Sequence, residues 1–282
     1  MKTILILTDF SETANHAVSY LSSIAGQMGT ERILLYHSTH IDHLDMIMIT
    51  DVLVPMPSGR YEIYKEALTE LDMVKTKIEL AVGNSVSIEI ITDDRSILKA
   101  VEEIVSHKNV DLVVLGISGA HDQGKNSVGG IPANLMKRHE FPLLIIPSSA
   151  PIGQVNRIML ACELKDIVDG LPDVQFKTIV KAFNASLYIV NIDREEVQGA
   201  AGFIKEQTAL HHLLDELHPE FDYLEDKDIV SGLLEFSDQN QIDLIVAVPK
   251  QRGFLENLFH ESATKKLALK ATKPLLLLHK NN

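Results

Sequence analysis

The segment GISGAHDQGKNSVGG, residues 116–130, combines closely spaced glycines with a lysine and serines, a composition suited to binding phosphate. One arrangement is a P-loop, Gly119-x4-Gly124-Lys125, with Asn126 where Ser or Thr would hold magnesium. A P-loop lysine opens a helix, but here NSVGG follows, and its glycine pair disfavours helix. The P-loop arrangement is therefore the weaker one.

The second arrangement is a longer frame of glycines around the same loop. Gly116 and Gly119 permit a tight turn and close approach of the backbone to a ligand. Gly129 and Gly130 precede a predicted helix with Pro132 in its first turn. The unpaired N–H groups at such a helix start can bind phosphate. A glycine-rich loop without a ligand remains the alternative.

Histidines and acids elsewhere could hold a metal. His37, His40 and His43 are spaced by three, but His37 ends a predicted strand, so no continuous helical face can present the three rings together. We predict solvated loop histidines here. Three more are predicted to lie on the surface: His211, His212 and His218.

The sequence does not favour covalent catalysis. A G-x-S-x-G nucleophile motif is absent, and GISGA belongs to the glycine loop. TDFSET follows the first predicted strand, where adenylating relatives of this type of fold carry an SGGxDS-like loop. We therefore expect neither nucleophilic catalysis nor adenylation chemistry.

The strands and helices that must position the candidate binding residues occur twice in the sequence. VDLVVL at 110–115 recurs as IDLIVA at 242–247, a shift of 132, whereas TILILTDF at 3–10 aligns with RIMLACEL at 157–164, a shift of 154. The second copy thus lacks 22 residues from the middle of the first, assigned to 43–60 and the helix behind it. We predict two domains of one fold, residues 1–150 and 151–282.

Each copy alternates Val/Ile/Leu runs with amphipathic stretches, which predicts an α/β fold: two tandem doubly wound (Rossmann-like) domains, each with a five-stranded, mostly parallel sheet. Ser11 is the predicted N-cap of the first helix and Gly29 its C-terminal stop. In the first copy, the predicted strands are 3–8, 32–37, 86–91, 111–116 and 142–146, and the predicted helices are 11–26, 61–82, 96–108 and 130–139.

Composition narrows the class of protein. The net charge of −13 argues against nucleic-acid and anionic-membrane binding, and the apolar runs are too short to span a membrane. The N-terminus reaches Asp9 too early for a secretory signal. The single cysteine, Cys162, is predicted to be a small core residue in a reducing compartment. We expect a cytoplasmic protein.

The frame Gly116-x2-Gly119-x9-Gly129, between VDLVVLG and LMKRHEFPLLIIP, resembles the ATP-binding motif of universal stress proteins. The opening TILILTDFSETANHAVSYL resembles the first strand and helix of that family, including its aspartate. The resemblance covers nearly the whole chain as a tandem pair.

The resemblance implies an adenine-nucleotide site for ATP, or ADP or AMP, with Mg²⁺ bound to the nucleotide. Asp9, beside Thr8, would face the ribose or the magnesium, and His37 and Ser38 would border the base. The family places Ser or Thr after the last glycine, where this chain has Gly130. The residues implied around the ribose and phosphates are Gly116, Gly119, Lys125, Ser127, Gly129, Gly130 and Ile131.

The second copy loses this frame, because Val248, Gln251 and Glu261 stand where the glycines were and Glu163 replaces Asp9. We therefore predict that ATP binds only to the N-terminal domain and that the C-terminal domain is structural or contacts a partner. The implied function is a stress-linked regulatory protein. A protein-interaction module without nucleotide and a slow ATPase remain as alternatives.

The fifth strands of the two copies, FPLLIIP and KPLLLLH, are apolar and should lie at sheet edges. An exposed apolar edge promotes aggregation. We predict that the two edges pair antiparallel, so that each chain is an internal pseudo-dimer. Further association into a homodimer and an unidentified protein partner are compatible with the sequence.

Overall fold

The computed structural model describes residues 1–40, 57–118, 129–138, 141–162, 164, 167–193, 201–225, 228–249 and 261–279. Below, the N-terminal half denotes residues 1–150 and the C-terminal half residues 151–282. Among the described residues, no helix has the length and hydropathy needed to cross a bilayer.

The N-terminal half alternates strands and helices in the predicted order. Its strands are β1 (Thr3–Leu7), β2 (Arg32–Ser38), β3 (Ser87–Asp93), β4 (Leu112–Ile117) and β5 (Leu143–Pro147). Its helices are α1 (Glu12–Ile24), α2 (Pro57–Val82), α3 (Ile97–Lys108) and α4 (Gly130–Leu135).

The C-terminal half repeats this order. Its strands are β6 (Arg157–Cys162), β7 (Ser186–Asp193), β8 (Glu220–Glu225), β9 (Leu244–Ala247) and β10 (Leu275–Leu277). Its helices are α5 (Ile167–Gly170), α6 (Asp173–Phe183), α7 (Ala201–Leu214), α8 (Ile229–Gln239) and α9 (Glu261–Lys270). The crossover between β7 and β8, residues 194–219, is 22 residues shorter than that between β2 and β3, residues 39–86, which is where the repeat comparison places the difference.

The ten strands form one sheet in the order β3-β2-β1-β4-β5-β10-β9-β6-β7-β8. Within each half every pairing is parallel, which confirms the predicted doubly wound α/β fold. Strand order reverses between β1 and β4 and again between β6 and β9. In open α/β sheets such reversal points leave a crevice outside the carboxyl ends of the strands, where ligands bind.

The two halves join through their fifth strands. β5 and β10 pair antiparallel, with Leu276 opposite Leu144 and Leu275 opposite Ile145, and all four side chains are buried. The antiparallel pairing predicted from the apolar edges is therefore confirmed. It removes both fifth strands from the exposed edges of the sheet and leaves β3 and β8 as its outer strands.

Successive strand residues point to opposite faces, so each face of the sheet carries its own apolar core. Along β1, Ile4 and Ile6 belong to one core and Leu5 and Leu7 to the other. The first core is covered by α1, α2, α6 and α7, and the second by α3, α4, α8 and α9. Side chains at the carboxyl ends of the strands therefore lie on one face of the sheet or the other, and each face is covered by its own set of helices.

The predicted helix boundaries agree with the structure only in part. Ser11 is the N-cap of α1, as predicted, and its hydroxyl accepts the N–H of Ala14 at 3.2 Å. However, α1 ends at Ile24 and Gly29, at φ +63°, instead closes the turn that follows. The predicted helix 130–139 was too long, since α4 ends at Leu135.

Candidate functional site

The crevice between β1 and β4 brings together residues that are far apart in the sequence. β1 lies between β2 and β4, so Thr8 and Asp9 follow one wall of the crevice and Gly116 lies in the other. Thr13 Oγ1 and Ser118 Oγ approach to 3.4 Å across it. The predicted residues at the ends of β1, β2 and β4 therefore share one edge of the sheet.

The turn after β1 is held in an unusual conformation. Phe10 has φ +64°, in the left-handed region that residues with a side chain seldom adopt. Its N–H donates to Thr8 Oγ1 at 3.1 Å, and the Asn15 amide donates to the carbonyls of Phe10 and Ser11 at 3.0 Å each. Strained residues that persist in this way concentrate at functional sites. Sequence analysis missed Asn15, whose spacing from Phe10 carries no recognised motif.

Asp9 is exposed at the mouth of the crevice. Its Oδ1 accepts the Ser11 N–H at 3.0 Å, which fixes the orientation of the carboxylate at the start of α1. A carboxylate anchored by one oxygen presents its second oxygen in a defined direction. Asp9 is thus placed to contact a hydroxyl or a cation entering between β1 and β4.

His37 joins the ends of β1 and β2. Its Nδ1 lies 2.9 Å from the Thr8 carbonyl oxygen, and because a carbonyl only accepts, Nδ1 carries the hydrogen and the neutral ring keeps Nε2 as an acceptor. The ring packs on Phe10 with centroids 4.3 Å apart. His37 is therefore an ordered wall of the crevice, at the strand end where the family resemblance put it, and not the solvated loop histidine that the spacing of the three histidines predicted.

Ser38 has an internal role in the structure. Its hydroxyl donates to the Arg95 carbonyl at 2.6 Å and accepts the His40 N–H at 3.1 Å. These bonds tie the end of β2 to the loop between β3 and α3. His40 itself is exposed, with Nδ1 2.8 Å from the Asp94 carbonyl, and His43 lies outside the described residues.

Gly116 is required for packing inside the protein. A Cβ built on it would lie 2.5 Å from the backbone oxygen of Thr13, in the first turn of α1. α1 can therefore lie against β4 only because residue 116 has no side chain. Sequence analysis assigned this glycine to a ligand, because the contact with α1 is non-local and leaves no trace in the local pattern.

Gly129 and Gly130 differ from Gly116. Gly129 has φ −54°, a Cβ on it would make only an ordinary 3.6 Å contact with Pro132, and a Cβ on Gly130 would meet nothing. Neither position needs glycine for the fold, and both lie exposed at the start of α4, followed by the half-exposed Ile131. The predicted site residues Gly119, Lys125 and Ser127 lie outside the described residues.

A charged network fixes the carboxyl end of β3 beside this edge. Tyr36 OH donates to Asp93 Oδ1 at 3.0 Å, and Arg95 Nε donates to Asp93 Oδ2 at 2.9 Å while also pairing with Glu103. Burial and the nearby Asp93 carboxylate raise the pKa of Tyr36. Burial alone would raise the pKa of Asp93, but the hydrogen bonds from Arg95 and Tyr36 outweigh it and hold that pKa below its ordinary value.

This network predicts an acid-dependent loss of stability. A carboxyl group whose pKa is lower in the folded chain stabilises the fold above its ordinary pKa of 3.8, and the stabilisation disappears as the pH falls below that value through the folded pKa. We expect Asp93→Asn to flatten the decrease of the unfolding free energy in this pH range. Urea unfolding at several pH values measures this slope, and Asp238→Asn, at an exposed position of α8, is the control and should retain the parental slope.

The matching crevice of the C-terminal half lies between β6 and β9. Asn191 at β7 takes the place of His37, and its Nδ2 donates to the Cys162 carbonyl at 3.1 Å, as His37 does to Thr8. Val248, which replaces Gly116, is buried in the core. Cys162 is half-buried at the end of its strand and packs against that core. Glu163 and Gln251 lie outside the described residues.

His211, predicted to lie on the surface, is partly exposed, but its ring packs against β8. Its ring stacks on Phe221 with centroids 3.5 Å apart, and Nε2 lies 2.9 Å from Tyr223 OH. Burial, and after it the neighbouring His212, lower the pKa of His211. Because His211 and His212 are consecutive in α7, the sequence does not show which of the two faces the sheet.

In the part of the chain that the structure describes, no group of three or more His, Cys, Asp or Glu side chains is arranged to hold a metal ion. Asp9 offers one carboxylate at the mouth of its crevice. A magnesium ion there would have to take most of its oxygen ligands from a bound phosphate and from water, which is how Mg²⁺ commonly binds to proteins.

Comparison with known proteins identifies relatives of this fold. The profile of the universal stress protein family matches residues 1–147. A universal stress protein from Archaeoglobus fulgidus DSM 4304 superposes with a TM-score of 0.74 at 17% identity, covering 99% of this chain and 98% of that one. A putative universal stress protein from Pseudomonas aeruginosa UCBPP-PA14 superposes with a TM-score of 0.62 at 14% identity, covering 99% of this chain and 93% of that one.

A universal stress protein family protein from Arabidopsis thaliana was solved with AMP bound. It is 15% identical over 52% of this chain and 92% of that one, with a TM-score of 0.36, a likeness too weak to assign a ligand here. None of the curated proteins compared matches the sequence.

Proposed function

The chain belongs to the universal stress protein family, and we propose that its N-terminal half binds one adenine nucleotide, ATP with Mg²⁺, in the crevice between β1 and β4. In this proposal residues 1–150 and 151–282 are two domains of one fold. The protein is a cytoplasmic, stress-linked regulator, and nucleotide occupancy is the signal that it passes to a protein partner.

The observation that carries the proposal is the construction of the crevice mouth. Three residues at the ends of β1 and β2 are held by bonds within the protein: the carboxylate of Asp9 by Ser11, the ring of His37 by Thr8, and the strained backbone of Phe10 by Asn15. The reversal of strand order places them beside the end of β4. A fold that maintains a strained turn and an oriented, exposed carboxylate at its ligand-binding edge is preorganised for a ligand.

Each predicted contact then has a distinct role. His37 Nε2 accepts a hydrogen bond from the amino group of the base, and Asp9 binds the ribose hydroxyls or the phosphate-bound magnesium. Gly129 and Gly130 leave open the space that side chains would fill, so phosphates can approach their backbone. Lys125 and Ser127 supply a cation and a hydroxyl from the loop, in place of the hydroxyl missing at Gly130.

A second candidate function is a protein-interaction module that does not depend on nucleotide. It is favoured by the C-terminal half, where the buried Val248 removes the glycine and Glu261 stands in place of Gly129. In that function the N-terminal crevice would be a remnant. Slow ATP hydrolysis is a weaker third candidate, and a homodimer is compatible with all three.

Calorimetry of the full-length chain with Mg·ATP tests the proposal. We expect one binding site per chain, and Asp9→Asn should weaken binding by a factor of about ten to a hundred, because a hydrogen bond to a charged group contributes about 1.5–3 kcal/mol. The matched control is Asp238→Asn on the exposed side of α8, which should bind as the parent does.

Three outcomes separate the candidates. A parent chain that takes up no adenine nucleotide in the presence of magnesium supports the interaction module instead. Equal binding by Asp9→Asn and the parent would place the nucleotide elsewhere on the molecule. Release of phosphate during the titration, lost in Asp9→Asn, would support the slow ATPase.

A further inference from the structure

The C-terminal half contains a row of polar side chains across three neighbouring strands. Cys162 in β6 pairs with Asn191 in β7, which pairs with Tyr223 in β8, so the three lie side by side at the carboxyl end of the sheet. Cys162 and Tyr223 both pack against the core that α6 and α7 cover, and the register places Asn191 on the same face. We call Cys162, Asn191 and Tyr223 the polar row.

Asn191 has an unmet hydrogen-bonding capacity. Its side chain is fully buried, and Nδ2 donates to the Cys162 carbonyl at 3.1 Å. If the amide were flipped, Asn191 Oδ1 would face the Cys162 carbonyl oxygen, and two acceptors cannot bond to each other. The bond to Cys162 therefore fixes the orientation of the Asn191 amide. Oδ1 is then buried with no hydrogen-bond partner in the described part of the chain. Buried polar atoms in native proteins are nearly always bonded, so this acceptor points to a donor that the described residues do not supply.

The N-terminal half repeats this feature. In the same register, Thr8, His37 and Thr92 end β1, β2 and β3 on the same face, and Thr92 Oγ1 is also buried without a partner among the described residues. His37 bonds to the Thr8 carbonyl as Asn191 bonds to that of Cys162. The two halves therefore keep a polar row, with one unmet hydrogen bond, at the position where the proposed function places the base.

The surroundings of the polar row favour an uncharged ligand. Tyr223 OH bonds to His211 Nε2 at 2.9 Å, and the His211 ring lies flat on Phe221, so one side is an aromatic wall. With Val248 in place of Gly116, a phosphate tail also loses the glycine frame.

We propose that the polar row is a second binding site that takes an unphosphorylated nucleoside or nucleobase, whose N–H donates to Asn191 Oδ1. The site itself rests on Asn191, and the choice of a nucleoside rests on the proposed function of the N-terminal half. The two halves of the chain would then bind the charged and the uncharged forms of one ligand class.

Nuclear magnetic resonance of the full-length chain tests both halves separately, with adenosine, AMP and Mg·ATP as the probes. The side-chain amide of Asn191 reports on the polar row, and the ring of His37 reports on the N-terminal crevice. Adenosine is expected to produce a second set of Asn191 amide signals in slow exchange, because a fully buried side chain must be uncovered before a ligand can reach it. AMP should produce this change only at concentrations about tenfold higher or more, since a desolvated phosphate lacks a partner there.

Asn191→Leu removes the acceptor at nearly constant volume, and because it also removes the reporting amide, adenosine is followed there through the ring signals of Tyr223, the next member of the polar row. The variant should abolish the Tyr223 response to adenosine and leave the His37 response unchanged. Thr208→Ala, on the exposed side of α7, is the matched control and should bind as the parent does. If Asn191→Leu fails to fold, the response of the Asn191 amide signals in the parent chain alone decides whether adenosine binds at the polar row.

Asn191 signals that do not respond to adenosine would overturn the proposal and leave Oδ1 bonded to buried water only. A response to AMP as strong as to adenosine would also overturn it. If Asn191 responds and His37 responds to no nucleotide, the second site stands and the proposed function of the N-terminal half fails.

Discussion

Leu144→Asp and Leu276→Asp are each expected to leave little soluble, folded protein. The two side chains face each other across the antiparallel pair of β5 and β10, and both are buried. An unpaired carboxylate there costs several kcal/mol, a large fraction of a typical total stability of about 5–15 kcal/mol. It would also expose two apolar strand edges that promote aggregation. Soluble yield and thermal unfolding followed by circular dichroism measure the effect.

The control is Val174→Asp on α6, whose residue is 74% exposed and should tolerate the charge. Conservative changes then isolate the contact between the halves. Leu144→Ala and Leu276→Ala should each cost about 2–5 kcal/mol. Their double mutant should show a coupling of about 0.5–3 kcal/mol, because the residues are in contact.

Leu276→Ala combined with Leu34→Ala in β2 should be additive, since those residues lie in different strands and different cores. Soluble Leu144→Asp protein with a parental unfolding transition would contradict the pairing of the two halves. Additive costs for Leu144→Ala and Leu276→Ala would show that the two side chains do not act together.

Gly116→Ala is expected to destabilise the N-terminal half, although alanine is the smallest possible addition. The new Cβ would lie 2.5 Å from the Thr13 backbone oxygen, so α1 must move away from β4. Such overpacking costs about 1–3 kcal/mol. At about 2–4 °C per kcal/mol for a chain of this size class, the midpoint of thermal unfolding should fall by several degrees. Gly116→Val should cost more.

The same substitution at Gly130 provides the comparison. A Cβ there meets nothing, so Gly130→Ala should change stability by no more than about 0.5 kcal/mol. Nucleotide binding should weaken in Gly116→Ala, because α1 carries Ser11 and the turn that orients Asp9. A Gly116→Ala chain that unfolds like the parent would mean that α1 does not approach β4 as closely as the structure indicates.

The sequence by itself determined the α/β class, the repeat and the approximate position of every strand in the first copy. These properties depend on local information: runs of Val, Ile and Leu, helix periodicity, and the N-cap at Ser11. The same information placed Asp9, His37 and Gly116 at strand ends, because in a parallel sheet the chain order of strands and helices sets which residues reach the carboxyl edge.

Only the tertiary structure decided what those residues touch. Gly116 faces the backbone of Thr13, Ser38 bonds to Arg95, and His211 stacks on Phe221. His37 and Asn191 differ in type, yet each donates a hydrogen bond to a backbone carbonyl at the end of the neighbouring strand, a similarity that the sequence does not show. Each contact joins segments that are separated in the sequence, and its strength depends on strand register and helix distance, which no local pattern encodes.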